Sequence, residues 1–221
     1  MKNKKTHLIC MDLDETLINS ANAHIIAYRK AIKKHGYDVS RKKLLKKFGV
    51  PAELYIKDLI PNITDSEIES IGKLHDNYLQ STSKKYVSKI RGCLSAIKRL
   101  KKSYRLALVT NCNKRNVDLL LKGARLNPKL FDIIVYNKEH LKPKPFPDEI
   151  IKAEHLLKLK ADFMVGDTTY DIIAARRAKV PCIAVLTGHH SRTKLKKEKP
   201  YAILKSIKYL PDFLDATHPL S

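Results

Sequence analysis

The stretch HLICMDLDETLINS, residues 7–20, decides how the rest of the chain is read. An apolar run reaches Met11, and two aspartates follow at once, Asp12 and Asp14, with Leu13 between them. The apolar run predicts a buried strand. In extended chain, side chains two residues apart point the same way, so both carboxylates can face one small volume just beyond the strand's end.

Four more apolar runs share this form, each ending in polar residues: YRLALVTN (104–111), FDIIVYNK (131–138), ADFMVGDT (161–168) and CIAVLTGH (182–189). Between them lie segments of helical periodicity. CLSAIKRLKK sets Leu94, Ala96, Ile97 and Leu100 on one side; NVDLLLKGARL, DEIIKAEHLLKL and YDIIAARRAKV, the last ending before Pro181, behave alike. Strands alternating with helices predict an α/β fold with a Rossmann-like parallel sheet and right-handed crossovers. Residues 20 to about 85 break the alternation and read as helices only. NAHIIAYRKAIKKHG stops at Gly36, SRKKLLKKFG stops at Gly49, and PAELYIKDLI opens at Pro51. In TDSEIESIGKLHDNYLQS, Thr64 and Glu67 have capping-box spacing. The expected organisation is a core from residues 1–17 and 88–221, interrupted by an all-helical cap at 18–87 that covers the sheet edge.

Ligands of open parallel sheets bind beyond the carboxyl ends of the strands. The polar residues at those ends should therefore converge: Asp12 and Asp14 after the first run, Thr110 and Asn111 after the second, Asp167 and Asp171 after the fourth. The third run leads into LKPKPFPDE, where Lys142 and Lys144 both precede proline; Pro147 and Asp148 complete a KPxPD pattern on Lys144. The chemistry of such a set is phosphoryl transfer. A free aspartate, with a reference pKa near ~3.9, is anionic at neutral pH and can act as a nucleophile. Its neighbour can move protons. A divalent cation would cancel carboxylate and phosphate charge together, and hard oxygen ligands favour Mg²⁺. Lys144 would hold the phosphate, and Thr110 would donate its hydroxyl.

On these residues the chain resembles the haloacid dehalogenase superfamily of hydrolases, nearest to the branch that includes phosphoglycolate phosphatase and carries a helical cap. The first motif is DLDET, the second LALVTN, the third the lysine of KPFPDEI and the fourth GDTTYD. The resemblance implies Asp12 as nucleophile, Asp14 as general acid and base, and Mg²⁺ held by Asp12, the Asp14 carbonyl and Asp167. Asp171 is implied to act through water or by orienting Lys144. It further implies a small phosphorylated metabolite as substrate, bound partly by Thr110, Asn111 and Lys144. A mutase of the β-phosphoglucomutase kind, a phosphonatase, and a pyrophosphatase or nucleotidase share these motifs. A dehalogenase would not need Asp14. Position 15 departs from the branch, with Glu15 where glycine is more usual, and Arg91-Gly92-Cys93 reads as the hinge back from the cap. Substrate contacts from the cap are expected near His24, Tyr28 and Arg29 and from the turn KKFGVPAEL, with Gly49 and Pro51.

The remaining features are read plainly. Cys10, Cys93, Cys112 and Cys182 form no CxxC and no zinc-like spacing, and read as reduced thiols. His189 and His190 read as solvated or phosphate-side loop residues, not metal ligands. The net charge of +22 is carried mainly by lysines spread along the chain: Lys2, Lys4 and Lys5, then the stretches 42–47, 84–102 and 194–199. That pattern reads as a solvated surface that attracts anions. The only reading of another class, a non-catalytic binder of nucleic acid, lacks an aromatic-rich RNA motif or a zinc finger. There is no run of ~20 apolar residues and no signal-peptide core, so no membrane partner and a cytoplasmic location are expected.

Overall fold

The computed structural model describes residues 6–46, 48–137 and 140–218, so Lys2, Lys4, Lys5 and Lys47 of the basic stretches lie outside the described residues. The first strand, β1 (His7–Met11), leads through a two-residue strand, β2 (Ile18–Asn19), into helices α1 (Ala21–Lys34), α2 (Arg41–Lys46), α3 (Ala52–Leu59) and α4 (Asp65–Tyr86). A second short strand, β3 (Ser88–Lys89), returns the chain to α5 (Cys93–Leu100) and β4 (Tyr104–Thr110). Alternation follows through α6 (Lys114–Gly123), β5 (Ile133–Tyr136), α7 (Asp148–Leu157), β6 (Ala161–Gly166), α8 (Thr169–Arg177) and β7 (Cys182–Val185). The chain closes with α9 (Arg192–Lys197), β8 (Ala202–Leu204) and α10 (Leu210–Thr217).

The six long-sheet strands run parallel in the order β5-β4-β1-β6-β7-β8, the α/β architecture expected from the alternation. The period-two side-chain alternation of buried strands divides the core between two faces. Ile9, Met11, Leu106, Leu108, Phe163 and Val165 pack on one side with α5, α6 and α10. Leu8, Cys10, Ala107, Val109 and Met164 pack on the other with α7 and α8. The strand β8 was not expected; it is three residues long, half-buried and at the sheet edge, too short to show a periodicity.

The helical segment has its own apolar core, in which Ile25, Ile32, Tyr55, Ile56, Leu59 and Ile71 meet. The expected capping box opens α4: Glu67 N–H donates to Thr64 Oγ1 at 3.3 Å and Thr64 N–H donates to Glu67 Oε2 at 2.9 Å. The two crossings between segment and body, β2 and β3, pair antiparallel, Ile18 with Lys89 and Asn19 with Ser88. Gly92, at φ 82°, turns the chain into α5. The segment does not cover a sheet edge as expected. Its α4 packs on α6, and residues of α1, α3 and α4 face the carboxyl ends of the central strands. No helix among the described residues is long and apolar enough to cross a membrane.

The α4–α6 crossing is close: a Cβ on Gly123 would lie 2.5 Å from the Ser83 carbonyl oxygen. Alanine in a helix is ordinarily favoured over glycine by about 1 kcal/mol. Here the backbone contact should win, so Gly123→Ala is expected to lower the melting temperature; a rise would show that α4 sits less tightly than described.

Candidate active site

Asp12 continues β1 by one residue, its N–H donating to the Val165 carbonyl at 2.9 Å. The chain then turns sharply at Glu15, which has a φ of 56°. That is the left-handed region, which costs a β-carbon-bearing residue energy and suits glycine. Glu15 gives something in return. Its carboxylate accepts the backbone N–H groups of Ser20 at 2.7 Å and Ala21 at 2.8 Å, at the start of α1. No side chain caps α1 at Ser20, because the Ser20 hydroxyl donates to Asp14 instead.

The convergence expected at the strand ends is present. Lys144 is 3% exposed, and its ammonium donates to Asp12 Oδ1 at 2.6 Å, Asp171 Oδ1 at 2.7 Å and the Val109 carbonyl at 3.2 Å. Lys142 is exposed; its N–H donates to Asp148 Oδ2 and its ammonium stands over the Phe146 ring. Of the two lysines, only Lys144 reaches the acids. Asp171 uses its other oxygen, Oδ2, to accept Thr168 N–H and Oγ1–H at 3.0 and 2.6 Å. It therefore caps α8 and fixes the lysine with one carboxylate. Asp167 Oδ1 accepts the Thr16 hydroxyl at 3.0 Å. Carboxylate oxygens of Asp12, Asp167 and Asp171 lie within 4.8 Å of one another, all buried, close enough to surround one ion.

This cluster sets three buried acids against one ammonium. Burial, aided by repulsion from Asp171 and Asp14, outweighs the opposing Lys144 charge and pushes Asp12 up to about 7. Burial and the charges of Asp12 and Asp171 push Asp167 well up. Burial works against the Lys144 charge, but Asp12 and Asp171 outweigh it and hold that ammonium well above its usual value. Asp12 is thus not the free carboxylate that sequence alone describes. An all-oxygen, over-acidic, buried set of this kind fits a hard divalent cation, whose charge would reverse both shifts.

Asp14 stands apart, on the other side of the same cavity. Burial alone would raise it, yet His24, Ser20 and Cys112 together bring it below the usual carboxylate range. His24 Nε2 is 3.5 Å from Asp14 Oδ1, and the Cys112 thiol donates to Asp14 Oδ2 at 3.2 Å. A second row of contacts continues outward. His24 Nδ1 is 3.0 Å from His75 Nε2, His75 Nδ1 is 3.0 Å from Asp76 Oδ1, and Asp76 accepts from Asn113 and Asn116 of the body at 2.9 and 2.7 Å. His75 and Asp76 were not identified from sequence. His75 is 51 residues beyond His24, with Asp76 next to it, in a helix whose pattern gives no sign that His75 is buried.

Other expectations divide. Thr110 is buried, and its Oγ1 accepts Cys112 N–H at 3.2 Å. Asn111 was expected to bind substrate; its amide instead exchanges two hydrogen bonds with the Lys144 backbone, at 3.1 and 2.7 Å, and so positions the lysine loop. Tyr28, Gly49 and Pro51 line the cavity with His24, but Arg29 is exposed and outside it, on the opposite side of α1 from His24. His190 is buried rather than solvated, accepting Thr169 N–H at 3.0 Å, while His189 stands 3.9 Å from Glu15. The cavity is about 240 Å³, below the ~300–1,000 Å³ usual for drug-sized ligands.

The profile of the haloacid dehalogenase-like hydrolases matches residues 9–185, from β1 through β7. The chain belongs to the haloacid dehalogenase-like hydrolase family. As an enzyme it is a phosphatase, a hydrolase of phosphoric ester bonds. The candidate pyrophosphatase PpaX of Caldanaerobacter subterraneus subsp. tengcongensis is 30% identical over 200 residues, 89% of each chain. Pyrophosphatase PpaX of Bacillus mycoides is 27% identical over 213 residues, 94% of this chain and 96% of that one. Among solved structures, a hydrolase from Pseudomonas syringae superposes with a TM-score of 0.85 at 22% identity, covering 95% of this chain and 98% of that one. A predicted phosphoglycolate phosphatase from Haemophilus somnus gives 0.84 at 20%, covering 96% and 99%. For this haloacid dehalogenase-like hydrolase, those structures speak to the fold.

The buried histidine of the cavity wall makes stability depend on pH. Burial pulls His75 down from its usual value to about 4, although Asp76 opposes the shift. The unfolded chain takes up a proton near ~6.5 and the folded one does not. Stability from this group is therefore complete above that value and is lost as pH falls towards about 4, on the order of 3 kcal/mol in full. Urea midpoints should fall from pH 7 to pH 4.5, less steeply in His75→Gln; equal slopes would rule the assignment out.

Proposed function

We propose that this phosphatase uses Mg²⁺ and passes through an aspartyl-phosphate on Asp12. The observation that carries the reading is the meeting of Asp12, Asp167, Asp171 and Lys144, brought from the ends of two strands, the first turn of one helix and one loop, around a volume one cation would fill. In this reading Asp12 attacks phosphorus with the carboxylate oxygen that Lys144 leaves free. Asp14 gives a proton to the leaving oxygen, then takes one from the water that opens the aspartyl-phosphate. Its depressed pKa suits the second duty, while burial, which by itself raises it, favours the first. Lys144 favours the ionised form of Asp12 and would face the transferring oxygens, to one of which the Thr110 hydroxyl could donate.

Asp12, the Asp14 carbonyl and Asp167 would hold the ion, with Asp171 behind them because both its oxygens are engaged. When bound, Mg²⁺ supplies charge neutralisation of carboxylate and phosphoryl oxygens together. The substrate is a small phosphorylated compound. The PpaX relatives favour pyrophosphate within that class, and phosphoglycolate follows from the motif resemblance. The small cavity, walled on the helical side by Tyr28, Phe48, Tyr55 and His75, supports a short leaving group over a nucleotide.

The deciding assay compares kcat/KM with Mg²⁺ for pyrophosphate, phosphoglycolate, sugar phosphates, nucleotides and p-nitrophenyl phosphate. Turnover of none of them would overturn the reading. Asp12→Asn should reduce hydrolysis to background, and Asp14→Asn should lose about 10²–10⁴-fold. Wild-type rates in Asp12→Asn would remove the nucleophile assignment. A separate substitution tests the ion without replacing a ligand. A Cβ on Gly188 would sit 1.8 Å from Asp167 Oδ2, so Gly188→Ala should raise the Mg²⁺ concentration for half-maximal rate. An unchanged requirement would place Asp167 outside the metal site.

A further inference from the structure

We propose that Asp14, His24 and Cys112 form a second cation site, selective for a thiophilic ion of the Zn²⁺ type, whose occupation withholds Asp14 from the reaction. The binding stands on its own geometry; the inhibitory consequence rests on the role proposed above for Asp14. The three side chains offer one oxygen, one nitrogen and one sulfur, all within 4.8 Å of one another at the cavity wall. Borderline and soft ions prefer that donor set, whereas the all-oxygen cluster of Asp12, Asp167 and Asp171 suits Mg²⁺. Sequence spacing gave no hint, because the donors come from β1's turn, α1 and the loop after β4, and only the fold unites them.

The independent observation is His24. It is 5% exposed, and its Nε2 makes no hydrogen bond. The chain of contacts behind it fixes the tautomer. Asp76, as a carboxylate, can only accept, so His75 Nδ1 carries the proton on that side. His75 Nε2 is then an acceptor, and His24 Nδ1 must donate to it. That leaves His24 Nε2, on the Asp14 side, as the position an ion can take; a proton held there pairs with Asp14 and leaves to solvent when the ion enters. An imidazole whose far nitrogen donates into a hydrogen-bonded carboxylate relay is the arrangement that orients metal-binding histidines.

The donors are close enough to be drawn onto one ion. With Zn–N and Zn–O bonds of about 2.0–2.2 Å and Zn–S of about 2.3 Å, donors around a tetrahedral ion lie roughly 3.3–3.6 Å apart. His24 Nε2 to Asp14 Oδ1 is 3.5 Å, within that range, and Cys112 Sγ to the other carboxylate oxygen, Oδ2, is 3.2 Å. One nitrogen, one oxygen and one sulfur of the three lie within 4.8 Å of one another, so small side-chain shifts would bring them onto a shared ion. On binding, the Cys112 S–H bond breaks, its proton goes to solvent and a Zn–S bond forms, with no change of oxidation state. Carboxylate, thiolate and neutral imidazole then balance a dipositive ion, so no net charge is buried. The Ser20 hydroxyl keeps its bond to Asp14, using a lone pair the ion does not need.

The test uses the intact protein with Mg²⁺ saturating and Co²⁺ as the spectroscopic probe. One equivalent of Co²⁺ should produce a thiolate-to-cobalt charge-transfer band in the near ultraviolet, absent in both Cys112→Ser and Cys112→Ala. Zn²⁺ should abolish hydrolysis in the wild type, and added Mg²⁺ should not restore it. In the Cys112 variants, each measured against its own zinc-free rate, inhibition should need about tenfold more Zn²⁺ or beyond. No band, a band that survives loss of Cys112, or equal zinc sensitivity in a folded variant would overturn the proposal. The band is read without turnover, so failure of the proposed reaction and failure of this site give different results.

Discussion

The ammonium of Lys144, held between Asp12 and Asp171 at 2.6 and 2.7 Å and almost wholly out of water, is the contact around which the rest is arranged. Breaking a buried pair by removing one partner is worth about 3–5 kcal/mol, because it leaves a charge uncompensated. The protein secures both ends of it. Asn111 clamps the Lys144 backbone, and Asp171 is locked by the same hydrogen bonds that cap α8. One lysine cannot neutralise three acids, and Asp167 remains in the cluster with only Thr16 against it. Burial and the excess of acid charge together raise Asp12 and Asp167, and under the proposed mechanism a further positive charge would relieve both.

Most of this could be read in the sequence because each part obeys a local rule. Five apolar runs ended where the strands end, within a few residues, and the polar residue following each is a property of chain direction. Lys144 could be preferred over Lys142 from the KPxPD pattern, and its burial follows from that loop. What sequence did not show depends on contacts between distant elements. Asn111 has the same composition whether its amide meets substrate or backbone. Arg29 and Tyr28 are neighbours on α1, and a rotation of one residue, about 100° on a helix, puts one in the cavity and the other in solvent. The relay from His24 through His75 to Asp76 joins two helices, and no period within either helix marks it.

The basic surface and the acidic site belong to one electrostatic problem. A net charge of +22 draws phosphorylated anions towards the protein, and the effect weakens with salt. The described cavity, by contrast, is lined by Asp12, Asp14, Asp76, Asp167 and Asp171 against Lys144 alone among lysines and arginines. Long-range attraction thus ends at a mouth that repels the same anion at short range. In the proposed mechanism, a cation held among the acids would convert repulsion into contact and so serve binding as much as the chemical step.

The helical segment is tied to this chemistry through the first turn of α1. Ser20 stands at the helix start and would ordinarily cap it; the hydroxyl goes to Asp14, and Glu15 takes over the two exposed N–H groups. The cost of the left-handed backbone at Glu15 is offset by those charge-assisted bonds, which glycine could not make. One turn on, His24 places α1 against the other side of Asp14, while Asp76 of α4 reaches back to Asn113 and Asn116 of the body. Any tilt of α1 relative to the sheet must therefore move the groups that set the protonation of Asp14. Under the proposed mechanism, the position of the helical segment and the readiness of Asp14 as an acid would vary together.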